Sequence, residues 1–295
     1  MRTPLEAIMG FFATIGRGWK MSKLSMRVVM KDPELIFYTI LCGIMSLVTM
    51  VSISIPQFLE QSWAIDSNGN ITPLYGVFIF LGYMIVSIVV TFWNSAIVAN
   101  SHMRLTGKNP TFADGISAAT KKLPIIIVWG IIAGTVGLLL KMLNQAAQNK
   151  KGGAAVLAQI LTMVGATIWW MVTFFMIPHL IIEGKGVRES FSSSKSMFFN
   201  RWGENVSAGM GIGLVTFFFG AIIVVISLGL MLALGPLWYI GLGIGGVAIA
   251  TLIAWSNAAE QVAITALYLY TKNGQMPELY REFGMMEFDM NARAV

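Results

Sequence analysis

Several short patterns in the 295-residue sequence carry side chains that could do chemistry. Gly241-Leu-Gly243-Ile-Gly-Gly246 has the letters of a dinucleotide fingerprint, where a glycine turn lets backbone amides approach a pyrophosphate. Asp66-Ser-Asn68-Gly-Asn70 places oxygen ligands at alternate positions, as the start of a calcium loop does. His102 and His179 are the only two histidines, and imidazoles can ligate metal or move protons near neutral pH. Glu260, with Asn257 close by, lies in a long apolar run, and a carboxylate there can couple an ion or proton. Asn94 falls at a similar depth in an earlier apolar run, and His102, at the cytoplasmic end of that helix, completes the candidate set.

The elements that would hold these residues decide among the readings. Hydrophobic residues make up 56% of the chain and charged residues 12%, about half the share usual in soluble domains. Mean hydropathy is +0.72. A water-soluble fold of this length could not cover its surface with so few polar groups. Six apolar runs fall at about 34–55, 74–101, 124–143, 154–177, 206–234 and 237–270. Each is long enough for the roughly 20 residues a bilayer needs. Asp32-Pro33 opens the first, Pro56 and Pro178 close the first and fourth, and Gly235-Pro236 makes a tight turn between the last two. The first run begins too late, and is too long, for the apolar part of a signal peptide.

Cations set the expected orientation. Of the 20 Lys and Arg, 17 fall in the N-terminal segment, the loops after the second and fourth runs, and the C-terminal tail. Only Lys141, Lys150 and Lys151 fall on the other side. The positive-inside rule then puts both termini in the cytoplasm and 56–73 outside. The expected organisation is a cytoplasmic interfacial amphipathic segment at 1–33, a six-span domain at 34–271 and a cytoplasmic tail at 272–295. The cytoplasmic (inner) membrane is the expected location.

This placement disposes of most of the chemistry. The GxGxxG letters lie inside the sixth run, with no strand before them. Gly241/Gly245, Gly209/Gly213 and Gly130/Gly134 read instead as GxxxG contacts between helices. The calcium-like loop lacks glycine at its sixth position and has Val77 at its twelfth, so turn chemistry explains it better. Asn70-Ile-Thr72 is a glycosylation sequon whose use depends on the organism. The two histidines have no Cys or carboxylate cluster beside them, and His is favourable at a helix C-terminus. No metal or cofactor and no nucleic-acid partner is expected. No Ser-His-Asp set or HExxH pattern suggests an enzyme. Cys42 alone makes no disulfide framework.

Glu260 lies 23 residues beyond Leu237, about 35 Å along a helix. The hydrocarbon core is about 30 Å thick. Trp238 and Tyr239 suit one aromatic belt, and Trp93, Trp129, Trp202 and Trp255 the other. This puts Glu260 at headgroup level, within reach of Arg104, His102 or a loop lysine.

Lys20, Lys23, Arg27 and Lys31 are spaced 3, 4 and 4, which makes one helical stripe. Met21, Leu24 and Val28 share a neighbouring face, and Leu5, Ile8, Met9, Phe12 and Ile15 form a second apolar face. The pattern reads as an interfacial helix binding anionic lipid at the inner leaflet.

The chain also repeats itself. Residues 102–121, HMRLTGKNPTFADGISAATK, and 179–195, HLIIEGKGVRESFSSSK, both run from His to Gly-Lys in five residues and then into a short helix rich in small residues. Thr271-Lys-Asn-Gly274 echoes the first of these. Three units at about 17–109, 110–186 and 187–274 follow, each a cytoplasmic amphipathic helix and a transmembrane hairpin. The expected fold is therefore an all-α polytopic bundle with a three-fold internal repeat.

The segments FWNSAIVANSHMRLTGKNPTFADGI, IPHLIIEGKGVRESFSSSKSMFFNRWGENV and ALYLYTKNG resemble an uncharacterised family of prokaryotic six-span membrane proteins. The chain is more distantly similar to the membrane domain of some glycerophosphodiester phosphodiesterases. The resemblance implies a helical membrane fold and carries no catalytic residue. The expected function is non-enzymatic: lipid or partner organisation, as a subunit, scaffold or oligomer. The alternative is a transporter or channel for a small solute or ion, with Glu260 as the coupling residue.

Overall fold

The computed structural model of the protein describes residues 20–59, 63–148, 152–202 and 207–282, with the backbone alone for 201–215. The apolar face from Leu5 to Ile15, the cations Arg2, Arg17, Lys150, Lys151 and Arg293, and the packing of Gly209 and Gly213 lie outside the described residues.

The chain is helical, and among the described residues no strand forms. In order the helices are α1 (20–31), α2 (Glu34–Phe58), α3 (Pro73–Leu105), α4 (Phe112–Thr120), α5 (Leu123–Gln148), α6 (Gly153–Thr173), α7 (Met176–Ile181), α8 (Val187–Met197), α9 (Ser207–Ala233), α10 (Trp238–Asn273) and α11 (Glu278–Glu282). Six stretches are long and apolar enough to cross a membrane: α2, α3, α5, α6 with α7, Thr216–Ala233 and Gly235–Asn273. Their flanks present bare hydrocarbon, with Phe217 69%, Val225 69% and Leu232 85% exposed. Such a surface needs lipid around it, and the chain is a multi-pass membrane protein.

The element order repeats three times as a short helix followed by two long ones: α1 with α2 and α3, α4 with α5 and α6–α7, α8 with α9 and α10. The hairpin ends repeat too. Gly107, Gly184 and Gly274 follow α3, α7 and α10 with φ of 84°, 68° and 72°, a left-handed conformation in which glycine has no Cβ penalty. The short helices are buried through small residues: Ser22 and Ser25 in α1, Gly115 and Ala119 in α4, Ser190 and Ser194 in α8.

Several helices run a few residues past the expected limits, among them α3 to Leu105 and α5 to Gln148, and two expected proline stops are not made. Pro56 does not stop the first span, because it sits in the last turn and α2 runs on to Phe58. Pro178 does not end the fourth, because the break comes earlier, at Phe174 and Phe175. Proline excludes the carbonyl four residues before it, which here belongs to Phe174. The released Phe175 N–H donates to Ser194 Oγ of α8 at 3.0 Å, and the helix resumes through His179.

Two compact units share these elements. One comprises Met1–Ile40, Asn100–Asp114 and Phe199–Val295, the other Leu41–Ala99 and Gly115–Phe198. In the first, α9 packs along α10 after the turn at Gly235, whose φ is 51°. The two halves of α10 differ sharply. Exposed large apolar side chains recur along it from Trp238 to Ile253, whereas from Ala254 to Tyr270 the helix is almost wholly buried. In the second unit, α5 packs on α6, and α8 on α6 and α7. Trp129, Met176 and Leu180 form its core there, and Trp129 stacks on Trp169 at 5.8 Å between centroids.

Candidate functional site

The basic stripe forms as the spacing requires. Lys20, Lys23, Arg27 and Lys31 are all exposed on one side of α1. The opposite side differs from the interfacial expectation. Met21, Leu24 and Val28 are 0%, 3% and 1% exposed, so protein rather than lipid covers the apolar face. Ser25 explains part of the packing. Its hydroxyl donates to Met21 O at 2.9 Å and accepts from the hydroxyl of Tyr280 in α11 at 2.8 Å. Burial raises the Tyr280 phenol above its ordinary range, and the Ser25 bond offsets this only in part. Sequence periodicity reports the amphipathic face of α1. It does not report that a tyrosine 255 residues away helps cover it.

Around His102 the contacts are polar. Arg104, two residues on, places Nε and Nη2 each 2.8 Å from Asp32 Oδ2, and Nη1 donates to Asn109 Oδ1 at 2.6 Å. Asp32, which precedes the first span, is 3% exposed and is the counterion of Arg104. Asn100 Nδ2 donates to the Tyr38 hydroxyl and to Thr111 O, both at 3.2 Å. The Tyr38 hydroxyl donates to Phe112 O at 2.7 Å, and its ring stacks on Phe112 at 4.5 Å. Asp114 accepts from the N–H and hydroxyl of Thr111 at the start of α4, which holds its carboxyl below the usual range. Together these contacts tie the start of α2 to the end of α3.

Glu260 takes no part in this network. It is half-buried, and among the described residues it has no hydrogen-bond or ion-pair partner. The expected pairing with Arg104 is not made, because Asp32 occupies that guanidinium. Asn257 is half-buried one turn earlier on α10, and no described contact joins Glu260 to His102. Asn94 is half-buried within α3 in the other compact unit.

In that second unit His179 heads a different cluster. Its Nδ1–H donates to Glu183 Oε2 at 3.0 Å, and Lys185 Nζ lies 2.8 Å from the same oxygen. Lys185 also donates to Ser193 Oγ at 3.0 Å. A Cβ on Gly184 would come within 2.8 Å of Lys122 Nζ, so this loop is also closed by the lysine just before α5. Glu183 and Ser193 are unremarkable as single letters. The spacing of His179 to Glu183, i to i+4, is the signal the sequence offers. Among the described residues no three His, Cys, Asp or Glu side chains gather in a way that could hold a metal ion.

The calcium-like loop is a turn. Asp66 Oδ1 accepts the N–H groups of Asn70 at 2.8 Å and Asn68 at 2.9 Å, and these bonds hold the carboxyl below its ordinary range. The glycine pairs are points of close helix approach. A Cβ at Gly130 would meet Ile88 Cα at 2.8 Å, and one at Gly134 would meet Ser87 Cβ at 2.9 Å, both on α3. Gly241 faces Met231 N at 2.8 Å and Gly245 faces Ser227 on α9. Ser227 Oγ donates to Gly241 O at 2.9 Å.

No curated protein matches the chain. The expected distant likeness to the membrane domain of glycerophosphodiester phosphodiesterases finds no support. The helix-end sequences that carry the clusters at His102 and His179 fall within the match to one family profile, at residues 74–277, and the chain belongs to that family of unknown function, DUF6159.

Proposed function

We propose that the protein is a non-enzymatic component of the cytoplasmic membrane that organises anionic lipid, or a partner bearing negative charge, at the inner leaflet. Both termini are cytoplasmic in this reading, which rests on the one-sided distribution of Lys and Arg. The observation that carries it is α1: its apolar side is buried in protein while Lys20, Lys23, Arg27 and Lys31 stay exposed on the other. A basic stripe fixed on a packed helix costs little ordering entropy when it meets a charged surface. Near anionic lipid each such residue contributes about 1 kcal/mol. Assembly as a subunit or oligomer is part of the same proposal.

The test uses the full chain in vesicles of phosphatidylcholine and phosphatidylglycerol. Spin-labelled lipids report which headgroup is enriched beside the protein. Changing the four stripe residues together to Gln should reduce phosphatidylglycerol selectivity severalfold, and high salt should reduce the wild-type selectivity in the same way. Unchanged selectivity would overturn the reading. Glu260, half-buried without a described partner, supports a second reading as a transporter or channel. Ion or proton flux in the same vesicles that is lost in Glu260→Gln would favour that alternative.

A further inference from the structure

We propose that the groove between α5 and α6, near the turn that joins them, binds one anionic phospholipid of the adjoining leaflet. The groove is open along one side and offers about 680 Å³. It is lined on α5 by Lys141 and Asn144, and on α6 by Gln159 with Val156, Ile160 and Met163. Lys141 lies seven residues before the end of α5 and Gln159 six residues after the start of α6. At 1.5 Å per residue both sit about 10 Å from the turn, so the polar groups share one level. α5 spans 26 residues, or about 39 Å, against a hydrocarbon core of about 30 Å. With α5 centred on the core, that level lies about 5 Å inside the hydrocarbon, close enough for a lysine side chain to extend toward the headgroups.

The charge balance points to the ligand. Lys141 is the only ionisable side chain on α5. Its ammonium donates to the Tyr83 hydroxyl and lies 4.9 Å from the centre of that ring, which orients it and adds a cation–π contact. Neither contact supplies a negative charge, and among the described residues no carboxylate pairs with Lys141. The amides of Asn144 and Gln159 likewise have no hydrogen-bond partner among the described residues. Water could satisfy amides but brings no counter-charge. A lipid phosphate offers both, accepting from the ammonium and from the amide N–H groups. On α6, Val156 lies on the turn side of Gln159 and Ile160 and Met163 lie beyond it; they are 59%, 48% and 65% exposed, and the latter two offer an apolar wall to the acyl chain. This site is separate from the stripe on α1 and does not depend on it.

The experiment uses the full chain in detergent, in a background where Lys20, Lys23, Arg27 and Lys31 are all Gln, so that the stripe cannot contribute. Native mass spectrometry measures retention of phosphatidylglycerol, phosphatidylcholine and glycerol phosphate. Phosphatidylglycerol should be retained at least tenfold better than phosphatidylcholine, and Lys141→Gln should remove that preference. Gln159→Leu keeps the charge and should weaken retention severalfold, which covers the case in which the Lys141 variant does not fold. Ala166→Trp, which fills the groove, should abolish retention. Equal retention of the two lipids, unchanged binding in Lys141→Gln or Gln159→Leu, or effective competition by glycerol phosphate would overturn the proposal. The last outcome would mean that a soluble anion suffices and the acyl wall is irrelevant.

Discussion

The loops after α3 and after α7 share the same His, Gly and Lys frame and are wired differently. Both run from a histidine to Gly-Lys in five residues, and both turn on a left-handed glycine, Gly107 or Gly184. After α3, the charge that matters is Arg104, which reaches 72 residues back to the buried Asp32. After α7, the side chains of His179, Glu183 and Lys185 close on one another within seven residues. The backbone device repeats because glycine alone is free of strain at positive φ. Side-chain pairing is not bound by that constraint, so each loop takes the partner its surroundings offer. One loop fastens distant helices; the other stabilises itself.

That difference has a measurable consequence. Asp32→Ala should lower stability by about 3 kcal/mol, the low end for breaking a buried ion pair, because the Arg104 side chain keeps 28% exposure. Asp32→Asn combined with Arg104→Gln should recover much of the loss, since no unpaired charge then stays buried. Glu183→Ala should cost less, about 1 kcal/mol. Lys185 keeps Ser193, and its neighbours are tethered by a short stretch of chain. Urea titrations in mild detergent give all these values. Equal losses for Asp32→Ala and Glu183→Ala would mean that the long-range and local wirings are energetically alike.

The two compact units can be compared in the same way through their glycines. A methyl added to Gly130 in one, or to Gly241 in the other, would lie 2.8 Å from a backbone atom of the facing helix, which cannot yield as a side chain can. Gly130→Ala and Gly241→Ala should each cost about 2 kcal/mol, as overpacking does. Gly137 and Gly243 have open space where a Cβ would go. Alanine there should gain up to about 1 kcal/mol from helix propensity. Thermal unfolding followed by circular dichroism separates the two pairs. A loss at Gly137 or Gly243 would show that those glycines pack against a second copy or another partner.

The six long helices are legible because a bilayer demands length and hydropathy, and both are local properties of sequence. The repeat is legible in its polar loops, where letters vary enough to carry a pattern. The break before Pro178 is hard to place because proline acts on the residue four positions earlier, and the rescue of Phe175 N–H by Ser194 depends on packing. The pairing expected for Glu260 fails for a similar reason. Depth along a helix can be counted from sequence, but which of two carboxylates reaches Arg104 depends on how α2 and α3 are joined. The groove at Lys141 is invisible in the letters because its residues look unremarkable one at a time, and only the α5–α6 hairpin brings them to one level.

The finest comparison concerns how α1 is held by α11 rather than by lipid. Tyr280→Phe removes the hydroxyl bond to Ser25 and should cost about 1 kcal/mol at neutral pH. The effect carries a pH signature. Burial raises the folded-state value of the Tyr280 phenol above that of the unfolded chain, so between the two values the folded state holds the extra proton. The stabilising contribution is therefore complete below the unfolded value of about 10 and falls as pH rises through the folded one. Wild-type stability should drop more steeply than that of Tyr280→Phe above about pH 10, so the two curves converge. Ser25→Ala keeps the buried phenol and should retain the steep alkaline slope while losing stability at neutral pH. Parallel curves for wild type and Tyr280→Phe would place the phenol in water, and α1 would then be held by something other than the packing of α11.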